Sequence, residues 1–175
     1  MRFAAEERLK TSVSEAWTLF APEASFISRK LDEIEQRGML VVRAARPADI
    51  AQAATQHRNV VVIAHWKGMA LPSDEGWPCA RLETYDAMLT AEEFTGLFSD
   101  DFAGTVHMIV CNSDIPAEAF RRRHPNVICI CSSEPMLVGL SLAKLDAALR
   151  LMQSDALPLW KALLQAGEMI DSLGR

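Results

Sequence analysis

Two residues of this 175-residue chain stand where they can do chemistry together. His65 directly follows the apolar run Val60-Val61-Val62-Ile63-Ala64, and Cys111 directly follows Val106-His107-Met108-Ile109-Val110. An ordinary thiol is mostly protonated near neutral pH, and an adjacent imidazole can take its proton during attack or hold the thiolate as an ion pair. The chemistry this pair allows is attack of the Cys111 sulfur on a carbonyl carbon, giving an acyl-enzyme that water hydrolyses. Backbone N–H groups of the loop Trp66 to Gly68 and around Asn112 are the candidate donors to the oxyanion, Gly68 having no side chain to obstruct approach.

For the two groups to meet, the runs that precede them must be neighbouring buried strands. Short β-branched runs alternate with helical patterns along the chain, which is the signature of a mostly parallel sheet covered by helices on both faces. In such sheets the working residues lie just beyond the carboxyl ends of the strands. Adjacent strands run about 4.8 Å apart, so imidazole and thiol can face each other across the sheet edge. His107 precedes Cys111 on its own strand by roughly 13 Å at about 3.3 Å per residue, and His57 and His124 fall at helix ends. None of the three competes as the base.

Strands are expected near Ala16 to Phe20, Met39 to Ala44, Asn59 to Ala64, Thr105 to Val110 and Val127 to Ile130, with a strand and turn in Arg81 to Leu89. Helices are expected from Ser25 to Arg37, stopped by Gly38, and from Pro47 to Gln56, opened by proline in its first turn. A further helix starts at Thr90, whose Glu93 completes a capping box. Others cover Ile115 to Arg123, Pro135 to Met152 and Leu157 to Leu173, and Trp17, Trp160 and the apolar spacing of Leu157, Leu163, Leu164 and Ile170 read as helix faces packed on the sheet. A loop rich in glycine and proline runs from Trp66 to Pro78.

Half of the residues are apolar, enough for one domain over residues 1–175 to build a core without staples. The formal net charge of −5 argues against a polyanion-binding surface, so no nucleic-acid partner is expected. The basic cluster Arg121-Arg122-Arg123-His124 reads as the solvated end of a helix, where positive charge meets the negative end of the dipole. No stretch approaches the roughly 20 apolar residues of a membrane span, and Met1 to Lys10 lacks the apolar core of a secretion signal. A cytoplasmic location with no membrane partner is expected. Cys79, Cys111, Cys129 and Cys131 have no disulfide-framework spacing, which leaves thiol chemistry available. Cys129 and Cys131 share one face of a predicted strand, but no second Cys or His pair completes a metal site; they are expected in the core, with no metal. Neither phosphate-binding glycine motif is present, so no nucleotide cofactor is implied.

From about Asp49 to Leu149 the sequence resembles the caspase-like clan, most closely its CHAT families, which include separase-type peptidases. The resemblance is carried by VVVIAHWKG, by LETYDAMLTAEEFTGLF with its turn before a helix, by VHMIVCNSD, and by the 46-residue separation of His65 from Cys111. It implies a three-layer α/β/α sandwich with a mostly parallel central sheet of about six strands, His65 as general base and Cys111 as nucleophile of a cysteine endopeptidase. Two positions depart from the family pattern: Trp66 follows His65, and Asp114 follows Cys-Asn-Ser, where glycine is common. They suggest the alternative of a catalytically inactive caspase-like fold that acts as a binding or regulatory module. Members of these families often recruit substrates through repeats or extensions that this chain lacks, so a polypeptide substrate delivered by an activating protein partner is implied. Glu23 after the first strand, Asp114 and Glu134 are candidates to pair with a basic substrate side chain, which would direct cleavage after Arg or Lys.

Overall fold

A computed structural model describes residues 17–67, 81–133 and 136–173, with the side chains of 17–23, 66–67 and 170–173 outside the description. The chain is mixed α/β, and its contacts group it into two compact units, Arg43–Met136 and the described parts of Met1–Val42 with Leu137–Arg175. The first of these carries all the described strands. Its elements are helix α2 (Pro47–Gln56), strands β1 (Asn59–Ile63), β2 (His65–Lys67), β3 (Arg81–Glu83) and β4 (Met88–Leu89), helix α3 (Ala91–Thr95), strand β5 (Thr105–Ile109), helix α4 (Asp114–Arg123) and strand β6 (Ile128–Ile130). The other unit holds α1 (Trp17–Gln36), α5 (Val138–Asp155) and α6 (Leu159–Leu173).

The six described strands divide into two sheets of three. One is parallel, in the order β1-β5-β6, with β5 between its neighbours and every residue of it buried. Burial on both faces is why Val60-Val61-Val62-Ile63 and Val106 to Val110 read as continuous apolar runs rather than as alternating ones. The register is Asn59↔Thr105 through Ile63↔Ile109 on one side of β5 and Thr105↔Ile128 through His107↔Ile130 on the other. The second sheet is an antiparallel meander, with His65↔Glu83 and Leu82↔Leu89 directly opposite. Its tight turn is held by Thr84, whose N–H donates to the Ala87 carbonyl at 2.9 Å and whose hydroxyl accepts the Ala87 N–H at 3.2 Å.

Local chemistry sets the helix boundaries of this unit. Arg46 donates its N–H to the Asp49 carboxylate at 2.8 Å, just ahead of Pro47 at the first helical position of α2. Thr90 and Glu93 form the reciprocal capping box at the start of α3, with contacts of 3.0 and 2.7 Å. Phe94, Phe98, Phe102 and Phe120 then assemble an edge-to-face cluster, with Phe98 4.8 Å from Phe120 and 5.1 Å from Phe102 between ring centroids. His124 closes the cluster, its Nε2 3.2 Å from the Thr95 carbonyl. At the amino end of β5, a Cβ added to Gly104 would lie 2.0 Å from the Arg58 carbonyl oxygen, so the chains cross there only because this residue has no side chain. The approach is fixed by the Thr105 N–H to Arg58 carbonyl bond at 2.8 Å and the Ile128 N–H to Gly104 carbonyl bond at 2.9 Å.

In the helical unit, α1 ends at Gln36 and Gly38 takes φ +90°, a left-handed stop that glycine adopts without cost. Leu31 and Ile34 of α1, Leu142, Leu145 and Ala148 of α5, and Leu159, Ala162 and Ala166 of α6 form its buried face. Asp146 is buried on α5 and meets the Nε of Arg37, with Arg150 at 3.2 Å and Lys30 at 3.6 Å. Burial alone would raise its pKa, but the Arg37 hydrogen bond and the charges of Arg150 and Arg37 hold it below the usual carboxylate range.

Two expected strands do not form. Residues 17–20 are the start of the continuous helix α1, which runs through Pro22 at the loss of one intrahelical hydrogen bond. Ala16 lies outside the described residues. A short apolar run such as Trp17-Thr18-Leu19-Phe20 fits helix and strand alike, because periodicity alone does not separate them. Met39 to Ala44 takes no strand conformation, Leu40 is 64% exposed, and Ala44 turns with φ 57°. The β-branched residues there have the propensity for a strand but join no ladder among the described residues.

Candidate functional site

The parallel register brings the two carboxyl ends of β1 and β5 level. Ile63 stands opposite Ile109, the Ala64 N–H reaches the Ile109 carbonyl at 3.5 Å, and His65 and Cys111 each follow two residues beyond that last pair. Both belong to Arg43–Met136. His65 leaves the parallel sheet to open β2, where it is solvent-exposed opposite Glu83. Trp66 continues β2 through its backbone.

Cys111 lies in the tight turn between β5 and α4, half-buried, behind the fully buried Val110. Asn112 carries the turn in the left-handed region with φ 51°, a conformation asparagine accepts more readily than most side chains. Ser113 occupies the position where a serine would ordinarily cap α4, but its φ and ψ of −76° and 0° leave the cap unmade. Its hydroxyl is instead completely buried, accepting the Ser132 N–H at 2.9 Å and lying 3.4 and 3.5 Å from the Ser132 and Met108 carbonyls. This one side chain ties the end of β5 to the segment that leaves β6. The Met136 N–H, four positions after Ser132, donates to Cys111 Sγ at 3.3 Å. Asp114 is the first residue of α4 and exposed, a carboxylate at the positive end of the helix dipole.

The remaining candidates are placed differently. Glu23 is within α1, so it follows no strand and belongs to the helical unit; its side chain is outside the description. Gly68, Glu134 and most of the Trp66 to Pro78 loop also lie outside the described residues. His107 is buried in the middle of β5 with no protein partner for Nδ1, and burial pushes its imidazole down to about 4. Cys129 and Cys131 are half-buried on the edge strand and its end rather than sealed in the core. Burial, with Cys131 alongside, pushes the Cys129 thiol up to about 11, and Arg121 Nη2 sits 3.9 Å from Cys131 Sγ. Among the described residues no cluster of His, Cys, Asp and Glu suits a metal ion.

Sequence reasoning missed Ser113 and Met136. A serine before a helix reads as a cap, which hid the first; the second contributes only its main chain, which leaves no mark on residue type. One signal was present: Cys111-Asn112-Ser113 and Cys131-Ser132-Ser133 both bring a cysteine and a serine to the same end of neighbouring parallel strands. No family model, curated protein or solved structure matches the chain.

Proposed function

We propose that the chain is a caspase-like, CHAT-type cysteine endopeptidase in which Cys111 is the nucleophile and His65 the general base. The observation that carries this reading is the level exit of both residues from adjacent parallel strands, two positions beyond the Ile63↔Ile109 pair. Cys111 Sγ would bond to the scissile carbonyl carbon as its proton passes to the imidazole, which returns it to the leaving amine; water then cleaves the thioester and restores the thiol. In this reading the parallel β1-β5-β6 sheet is the centre of a three-layer sandwich, with further strands completing a sheet of about six. The substrate is a polypeptide presented by an activating protein partner, and Asp114 favours a basic side chain near the scissile bond.

The test is labelling by iodoacetamide or an acyloxymethyl ketone together with a peptide-library cleavage screen. Cys111→Ala is expected to keep the fold and lose both cleavage and the label at this position, and His65→Ala to slow both at least tenfold. Cleavage that survives Cys111→Ala overturns the reading. A second reading, an inactive module that binds rather than cuts, draws on the Met136 N–H already seated on the sulfur. It predicts no cleavage of any library peptide and a partner whose binding protects Cys111 from iodoacetamide.

A further inference from the structure

The group on the Cys111 sulfur is a main-chain N–H, and its position suggests a second use. In a thioester the carbonyl oxygen projects only a short distance from the sulfur that carries it. A donor 3.3 Å from Sγ therefore lies close to where the oxygen of an acyl group on Cys111 would carry negative charge. Oxyanion donors work by standing in place before the charge develops, so they must be held by something other than the substrate. A holding group stands nearby: the buried Ser113 hydroxyl, two residues after the nucleophile, accepts at 2.9 Å the N–H of Ser132, which precedes Met136 by four residues.

Building on the cysteine-hydrolase reading, we propose that the Met136 main-chain N–H is an oxyanion donor of the Cys111 site and that Ser113 is its positioning residue. Attack by Cys111 on an ester or peptide carbonyl converts that carbonyl oxygen to an oxyanion as the S–C bond forms. The Met136 N–H shifts from sulfur to that oxygen, and collapse breaks the bond to the alcohol or amine, which leaves with the proton that His65 took from the Cys111 thiol. The donor changes acceptor without changing its own hydrogen-bond count, which keeps the resting site satisfied and the reacting site stabilised.

Two reactions of the same sulfur separate this role from a structural one. Acyl transfer from p-nitrophenyl acetate passes through an oxyanion, whereas alkylation by iodoacetamide is a direct displacement at saturated carbon and does not. Met136→Pro deletes the N–H; it is expected to lower Cys111-dependent acetylation and ester hydrolysis about 10²–10³-fold while alkylation of Cys111, followed by peptide mass spectrometry, stays within about threefold. Should the proline chain fail to fold, an amide-to-ester replacement at position 136 deletes the same donor and decides the matter. Ser113→Ala is expected to cost about tenfold in acyl transfer, with partial recovery in Ser113→Thr. Full acyl transfer without the donor overturns the proposal while leaving Cys111 a nucleophile. A wild-type chain that forms no acetyl-Cys111 overturns both this proposal and the hydrolase reading beneath it.

Discussion

His107 sits on the central strand of the parallel sheet with a ring nitrogen buried and unpartnered, and its imidazole is neutral in the folded chain down to about pH 4. An unfolded chain protonates the same ring near pH 6.5. Between those limits the unfolded state binds the extra proton, so stability falls as pH drops from about 6.5 to about 4, by about 3 kcal/mol in all, and His107 adds nothing further below that. Urea melts of the wild type should show this decline, and His107→Leu should flatten it over that interval. An unchanged slope in the variant would assign the titration elsewhere. Asp146 acts in the same direction, although its protonated form is the neutral one: its lowered value gives stability that is complete above the unfolded carboxylate range and lost as pH falls through the folded one. Removing its charge with Asp146→Asn leaves Arg37 and Lys30 facing a neutral amide, and a loss of about 3 kcal/mol is expected in denaturant unfolding.

At the scale of elements, the aromatic cluster beneath α3 and α4 is the most sensitive packing unit. Phe98 is 1% exposed and packs against three other phenylalanine rings of the cluster, so Phe98→Ala should cost about 3–5 kcal/mol by urea melt, against about 1 kcal/mol for Thr90→Ala, which removes only one cap. Elements with local signals were legible in the sequence: Pro47 opened α2, Thr90 and Glu93 framed α3, Gly38 stopped α1, and the runs before His65 and Cys111 were strands. What failed depended on partners. Leu40 to Val42 have strand-forming side chains yet join no ladder among the described residues, and residues 17–20 carry an apolar run whose period is too short to declare itself. The site was legible to the same extent. The positions of His65 and Cys111 past the ends of two buried strands could be read from residue order, while the Ser113 to Ser132 bond joins two turns and the Met136 contact uses main chain alone.

Across the whole molecule, the described residues contain no helix long and apolar enough to cross a membrane, and the strands and helices of Arg43–Met136 hold every described member of the candidate site. Arg121, Arg122 and Arg123 at the α4 terminus are exposed, with Arg122 3.6 Å from Glu92 and Arg123 3.2 Å from Asp100, as suits a solvated helix end, whereas His124 departs from that expectation and is buried against the aromatic cluster. The bare backbone at Gly104 has a longer reach than its position suggests. Five residues of β5 separate it from the turn that carries Cys111, a span of about 16 Å. A one-step slip of β5 along β1 would drive Ala103 or Thr105 into the Arg58 carbonyl, so the strand has a single seat. The missing methyl thereby works as an alignment pin, keeping the ends of β1 and β5 level where the chain runs on to His65 and Cys111. Gly104→Ala should accordingly cost about 3 kcal/mol of stability, and chains that remain folded should lose Cys111 reactivity out of proportion to that cost, as measured by iodoacetamide labelling beside circular dichroism.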